Sequence, residues 1–252
     1  MKIPSVLLVV LPATLIAVGL YRPVPKEGDP CGAGKGFAVV ELFTSEGCSS
    51  CPPADAVLAK IVAEHPDNVY VLGYHVDYWD RLGWKDAFSN AAYTRRQQEY
   101  ARVLKLSSIY TPQAIVNGQK EMVGSEEKNL RAVIAEGLAG PAGKKITLQT
   151  RREGNNIRVS FIAEGRGDDA LYIALLQSHA ETRVGAGENN GRRLQHVNIV
   201  REFKTAPAGH SGLVDLEIPQ GLQAKDFKLI AFLQGDKTGG LAISGAVAAD
   251  LP

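Results

Sequence analysis

The chain has 252 residues, a formal net charge of +1, 45% hydrophobic residues and 22% charged residues. That is a globular composition, long enough for one large or two ordinary domains, each with a core. The near-neutral balance and the lack of a long basic run exclude charge-driven nucleic-acid binding, and 26 Gly and 13 Pro exclude a low-complexity chain.

Lys2 precedes an uninterrupted apolar stretch, residues 6–20 (VLLVVLPATLIAVGL). Its length suits a signal-peptide core and is short for a membrane span. Small residues at Ala17 and Gly19 mark a cleavage site after Gly19, with an uncleaved N-terminal anchor as the alternative. Either way the chain is expected to be exported, periplasmic or secreted, touching a membrane only through that anchor. Residues 21–36, rich in Pro, Gly and charge, are expected to be a linker. Three cysteines leave at least one thiol without an intrachain partner, and Cys31, in the linker, reads as a stray.

Residues 37–43 (FAVVELF) are apolar on both faces, as in a buried strand of a parallel sheet. A turn then presents Cys48-Ser49-Ser50-Cys51. Ala54, Val57, Leu58, Ile61 and Val62 follow on one helical face. Pro52 and Pro53 fit the first turn of that helix, where the backbone amides have no intrahelical partner to lose. Residues 68–76 predict a second buried strand, and a polar-aromatic segment (DYWDRLGWKDAF) leads into a helix of about twenty residues ending near Leu106. Residues 113–116 and 119–123 predict two strands joined by Asn117-Gly118, a strong hairpin signal. Ser125 is the expected N-cap of a last helix that Gly140-Pro141 stops.

From Gly143 the pattern changes to seven short alternating strands: residues 146–150, 156–163, 170–177, 195–203, 212–218, 228–234 and 241–247. They predict an antiparallel β-sandwich. The expected organisation is residues 1–36 as signal or anchor plus linker, 37–142 as an α/β domain with an enlarged helical insert, and 143–252 as the sandwich. The glycine-rich residues 185–193 (GAGENNGRR) lack GK[ST] and predict a mobile loop, not a phosphate site. Arg192, Arg193, His196 and Arg201 predict a solvated basic face, with a basic patch facing a partner or the first domain as the alternative, and His65, His179 and His210 fall in expected loops.

Two cysteines separated by two residues at a helix start can close a disulfide, hold part of a metal site or exchange disulfides. Exchange needs a thiolate, which the amide dipoles of a helix N-terminus favour. Cys48, the more N-terminal and expectedly the more exposed, is the candidate nucleophile, and Cys51 the resolving thiol. Glu46 and Asp55 oppose a thiolate by charge repulsion. Zinc usually needs four ligands and no second cysteine pair exists, so a Cys48, Cys51 and His75 site for copper or zinc is the rival arrangement. No other cofactor is expected. His75, Asp77, Tyr78, Trp79 and Trp84 gather at a strand end on the same edge as the thiols, where α/β sheets bind ligands. They are candidates to line a substrate groove or to plug the sheet end.

The order strand, thiol turn, helix, strand, helix, strand, hairpin, strand, helix is that of thioredoxin. GCSSCPPAD, HVDYWDRLGWKD, RQQEYA, YTPQAIVNG and, downstream, VGAGENNGRRLQHVNIVR extend the likeness. With them the chain resembles an uncharacterised family of secreted bacterial thioredoxin-like proteins, a domain of unknown function, over roughly residues 37–251. The resemblance implies a thioredoxin-like first domain, Cys48 and Cys51 at the redox position, and Pro112 as a cis-proline whose neighbour Thr111 pairs with substrate backbone. It implies no substrate. A tryptophan-flanked pair enclosing Gly-Pro is absent, and Ser49-Ser50 stand between the cysteines. The expected function is thiol–disulfide oxidoreduction on a cysteine-containing protein or small thiol. The alternative is non-enzymatic binding of a metal or an envelope partner.

Overall fold

The computed structural model describes residues 36–65, 67–165, 169–235 and 240–252. The apolar segment, the expected linker up to residue 35 and Cys31 lie outside them. Strands β1 (Ala38–Thr44) and β2 (Val69–His75) pair in parallel, and every residue of both is buried. Such strands need apolar side chains in both directions, and FAVVELF and VYVLGYH supply most of them. Helix α1 (Pro52–Glu64) makes the crossover, with Pro at its first positions and Ala54, Val57, Leu58 and Ile61 turned to the sheet. β3 (Gln113–Val116) runs antiparallel on the other side of β1, and β4 (Lys120–Val123) completes that edge. The Asn-Gly hairpin forms as expected. Asn117 and Gly118 both have positive φ, 49° and 67°, the backbone of a type I′ turn.

Two helical expectations change. The long helix is the shorter α2 (Ala91–Val103), preceded by a 3-10 turn over Asp77–Leu82. The side chain of Asn90 caps α2 by accepting from the amide of Ala92 at 2.9 Å, and Lys105 takes a left-handed φ of 56° just past its end. Helix α3 (Glu127–Leu138) starts two residues after Ser125, with Glu126 at the cap.

The strands expected after residue 143 form. They are β5 (Ile146–Glu153), β6 (Asn156–Ala163), β7 (Ala170–Arg183), β8 (Arg193–Pro207), β9 (Ser211–Glu217), β10 (Phe227–Gln234) and β11 (Ile243–Asp250). β7 is longer than expected and carries His179. They do not assemble as a sandwich of their own. β7, β8, β10 and β11 continue the first sheet, giving one eight-stranded mixed sheet in the order β11-β10-β7-β8-β2-β1-β3-β4. Only β5, β6 and β9 form a separate, three-stranded antiparallel sheet. β7 explains the difference. Leu171, Ile173 and Leu175 alternate with Tyr172, Ala174 and Leu176, so both its faces are apolar and both need cover. One face meets the small sheet, through Ile157, Val159, Phe161 and Leu216. The other continues the core that α2 covers with Tyr93 and Tyr100. α1 and α3 cover β1–β3 on the opposite face.

The seam between the two halves of the large sheet is narrow. β2 and β8 are parallel neighbours that meet at Gly73 and Ile199. Asn198, at φ 51°, reaches back from β8 and donates its amide to the Val71 carbonyl at 3.0 Å. No helix among the described residues is long and apolar enough to cross a membrane.

Candidate functional site

β1 ends at Thr44, and the chain turns through Ser45, Glu46 and Gly47 into the two cysteines. Cys48 and Cys51 are joined as a disulfide with Cα atoms 5.4 Å apart. Cys51 is the N-cap residue of α1, and its carbonyl accepts from the amides of Ala54 and Asp55. The pair therefore lies at the positive end of a thirteen-residue helix. Both cysteines are fully buried, so Cys48 is not the more exposed of the two as expected; Ser49 and Ser50 are the exposed members of the motif.

The cover comes from the other half of the chain. Asn189, buried, donates its side-chain amide to the carbonyls of Glu46 and Cys48, each at 2.9 Å. Glu188 accepts from the Ser49 amide at 3.0 Å. The loop carrying both, residues 184–192, is closed at its base by backbone bonds from the Val184 amide to the Arg192 carbonyl and from the Gly191 amide to the Val184 carbonyl, and Gly185 lies against the Trp84 ring. It is docked over the cysteine turn rather than free.

Thr111 and Pro112, joined by a cis bond, face the motif from the start of β3. Ser50 Oγ is 3.4 Å from the Thr111 carbonyl and 3.3 Å from Cys48 Sγ. Trp79 Nε1 donates to Thr111 Oγ1 at 2.8 Å, and a Cβ added at Gly47 would come within 3.2 Å of the Trp79 Cβ. Trp84 Nε1 donates to Glu46 Oε2 at 2.7 Å. The aromatic segment is thus bound to the turn on one side and to Thr111 on the other. Asp77 is not part of this group. It accepts from Thr94 Oγ1 at 2.5 Å, tying the 3-10 turn to α2.

His75 reaches the site through a residue that sequence reasoning missed. Its Nδ1 donates to Asp86 Oδ2 at 2.7 Å, and the same oxygen accepts from the Glu46 amide at 2.8 Å. The other Asp86 oxygen accepts from the Phe88 amide at 2.8 Å. Burial opposes the Asp86 charge, yet His75 and the two amides hold its carboxyl below the usual range. Asp86 so clamps the turn that carries Cys48.

His196 faces the first half of the chain, the alternative weighed for it in the sequence. It is not on a solvated basic face. It is 2% exposed, with Nε2 3.5 Å from Glu46 Oε1 and Nδ1 3.5 Å from Asp55 Oδ2. These separations are ion-pair contacts, long for hydrogen bonds. Its ring stacks edge-on to His75, with centroids 4.8 Å apart, and beside Phe88. Burial disfavours the charged imidazole, but Asp55 and Glu46 outweigh it and push its pKa up to about 9. A signal for its burial did exist: in RLQHVNIV the inward positions Leu194, His196 and Asn198 alternate with Gln195 and Val197. Nothing comparable marks Asp86 or Asn189.

Among the described residues no group of three or more His, Cys, Asp or Glu is placed to hold a metal ion. The two sulfurs are bonded to each other and His75 Nδ1 is engaged by Asp86, so the Cys48, Cys51 and His75 arrangement does not assemble in this form.

The fold and site define a mixed α/β protein with a buried Cys-x-x-Cys disulfide where a strand turns into a helix. The family described as protein of unknown function (DUF1223) matches residues 39–234, and the chain belongs to that family. An X-ray structure of a protein from Agrobacterium tumefaciens is similar at 30% identity and a TM-score of 0.63, over 84% of this chain and 92% of that one. A DUF3823 family protein from Bacteroides ovatus matches at 14% identity and a TM-score of 0.27, over 44% of this chain and 58% of that one. A domain of the outer membrane lipoprotein Omp28 from Porphyromonas gingivalis matches at 15% and 0.24, over 44% of this chain and 88% of that domain. No curated protein matches the chain.

Proposed function

We propose that the protein is an exported thiol–disulfide oxidoreductase, built on a thioredoxin-like arrangement of β1–β4, α1 and α3, that acts on a cysteine-containing protein or a small thiol. The observation that carries the proposal is the Cys48–Cys51 disulfide at the N-terminus of α1, held at Ser50 against the Thr111 carbonyl. A staple would need none of the charged and aromatic groups that converge on this turn. The helix N-terminus favours a thiolate on reduction.

The step balances as follows. A substrate thiolate attacks Cys48 Sγ and forms a mixed disulfide. The Cys48–Cys51 bond breaks, and its electron pair leaves on Cys51, which takes up a proton. A second substrate thiolate attacks the substrate sulfur of the mixed disulfide and releases Cys48 as a thiolate. Two electrons pass from the substrate dithiol to the protein pair. In reverse, the Cys48 thiolate attacks a substrate disulfide and Cys51 resolves it. Because both sulfurs are buried, the segment carrying Glu188 and Asn189 must withdraw before either step.

Cys51→Ser, with Cys48 free to attack, is expected to trap a mixed disulfide with its substrate, and Cys48→Ser to trap none. Oxidised protein that exchanges with no dithiol at neutral pH, with neither variant trapping a partner, would reject the proposal. The reduction potential then assigns direction: near about −270 mV the pair reduces its substrate, near about −120 mV it oxidises it.

A further inference from the structure

The two carboxylates beside the cysteines work against exchange. Glu46 stands two residues before Cys48, and Asp55 lies one helical turn after Cys51, its amide bonded to the Cys51 carbonyl at 3.1 Å. Unopposed, both disfavour a thiolate. His196 enters between them from β8. Each ring nitrogen faces a carboxylate oxygen at 3.5 Å. A carboxylate offers only acceptor oxygens and negative charge, and a neutral imidazole leaves one nitrogen as a bare lone pair, so a carboxylate facing each nitrogen favours the imidazolium, which carries an N–H and positive charge on both sides. Among the described residues Glu46 Oε1 and both imidazole nitrogens have no hydrogen-bond partner, so the three groups depend on one another.

We propose that His196 is a positioning residue for the Cys48–Cys51 pair: lodged as an imidazolium between Glu46 and Asp55, it offsets their charge and brackets the motif, so that a thiolate can form beside two carboxylates. The proposal rests on thiol exchange at this pair and names a residue through which the other half of the chain controls it. The groups facing the imidazole are Glu46 from the cysteine turn, Asp55 from α1, and His75 from the end of β2 with Asp86 behind it. Trp84 holds the second Glu46 oxygen, and Thr44 Oγ1 lies 3.4 Å from Asp55 Oδ1, so neither carboxylate is free to turn away.

The test is the pH profile of Cys48 alkylation by iodoacetamide in the fully reduced, full-length protein. His196→Gln is expected to raise the apparent thiol pKa by about one unit, slowing alkylation roughly tenfold below that pKa. Glu46→Gln, which keeps shape and an acceptor for Trp84, is expected to lower it by a similar amount. Opposite signs follow from charge; general loosening of the turn would move both variants the same way. Profiles that coincide with wild type in His196→Gln, or shifts of one sign in both variants, would overturn the proposal. Turnover of a dithiol substrate is measured in parallel. Opposite shifts in a protein that does not exchange would sustain the charge role and reject the enzymatic one. Wild-type turnover with unmoved profiles would reject the His196 role alone.

Discussion

Outside the cysteine site, Arg96 joins the two halves of the chain in the core. It comes from α2, is 7% exposed, and places Nε and Nη2 2.8 Å and 2.6 Å from Oε1 of the fully buried Glu41 on β1. Nη2 also lies 3.1 Å from both Tyr100 OH and Gln234 Oε1. Its guanidinium stands within 5.8 Å of five ring centroids: Tyr74 and Tyr100 from the first half, Tyr172, Phe203 and Phe232 from the second. Arg96→Met would keep much of the packing and strand the Glu41 carboxylate in the core. Removing one partner of a buried pair costs about 3–5 kcal/mol, because the remaining charge is uncompensated. At about 2–4 °C per kcal/mol for a chain of this size, Tm should fall by roughly 6–20 °C. Replacing both partners, as Glu41→Leu with Arg96→Met, should recover most of the loss. The assay is guanidinium unfolding followed by tryptophan fluorescence and by far-UV circular dichroism. The two tryptophans, Trp79 and Trp84, report on the first half, while the dichroism reports on every sheet. The network spans both halves, so the two probes should give one coincident transition in wild type. A loss under about 1 kcal/mol in Arg96→Met, or a double variant no better than the single, would refute the account.

Three further outcomes are expected. His196 has a folded pKa raised to about 9 against about 6.5 unfolded, so its contribution is fully present below pH 6.5 and is lost as pH rises through about 9. Midpoints of urea unfolding should therefore fall from pH 6.5 to 9.5, and His196→Gln should flatten that fall; parallel curves would contradict the assignment. Gly118→Ala should destabilise by about 2–4 kcal/mol, since φ is 67° there and a Cβ would sit 1.8 Å from the Leu241 carbonyl oxygen; an unchanged denaturation midpoint would refute this. Asn189→Ala removes two bonds that hold the loop over the cysteine turn, and should speed reduction of Cys48–Cys51 by dithiothreitol several-fold, with equal rates refuting the covering role.

What could be read locally was legible in the sequence. FAVVELF and NVYVLGYHV specify doubly buried strands because apolar side chains point in both directions at most positions, with Glu41 the charged exception inside β1. Pro52-Pro53 after Cys51 specify a helix start, and Asn117-Gly118 a hairpin, because few backbones satisfy those residues. These signals put the cysteine pair at a strand-to-helix turn. They did not show that β8 would lie beside β2, since that contact is a single bridge at Gly73 and Ile199 with an Asn198 side chain across it. Nor did they show that Cys48 would be covered by Asn189, 141 residues away. A polar residue on the inner face of an alternating strand looks the same in sequence whether it meets water, a carbonyl or a carboxylate. Tertiary structure decided that His196 meets Glu46 and Asp55, that Arg96 meets Glu41 among aromatic rings, and that the disulfide is buried. Burial is what makes each encounter matter, because charges out of water must find partners and no short stretch of chain contains both.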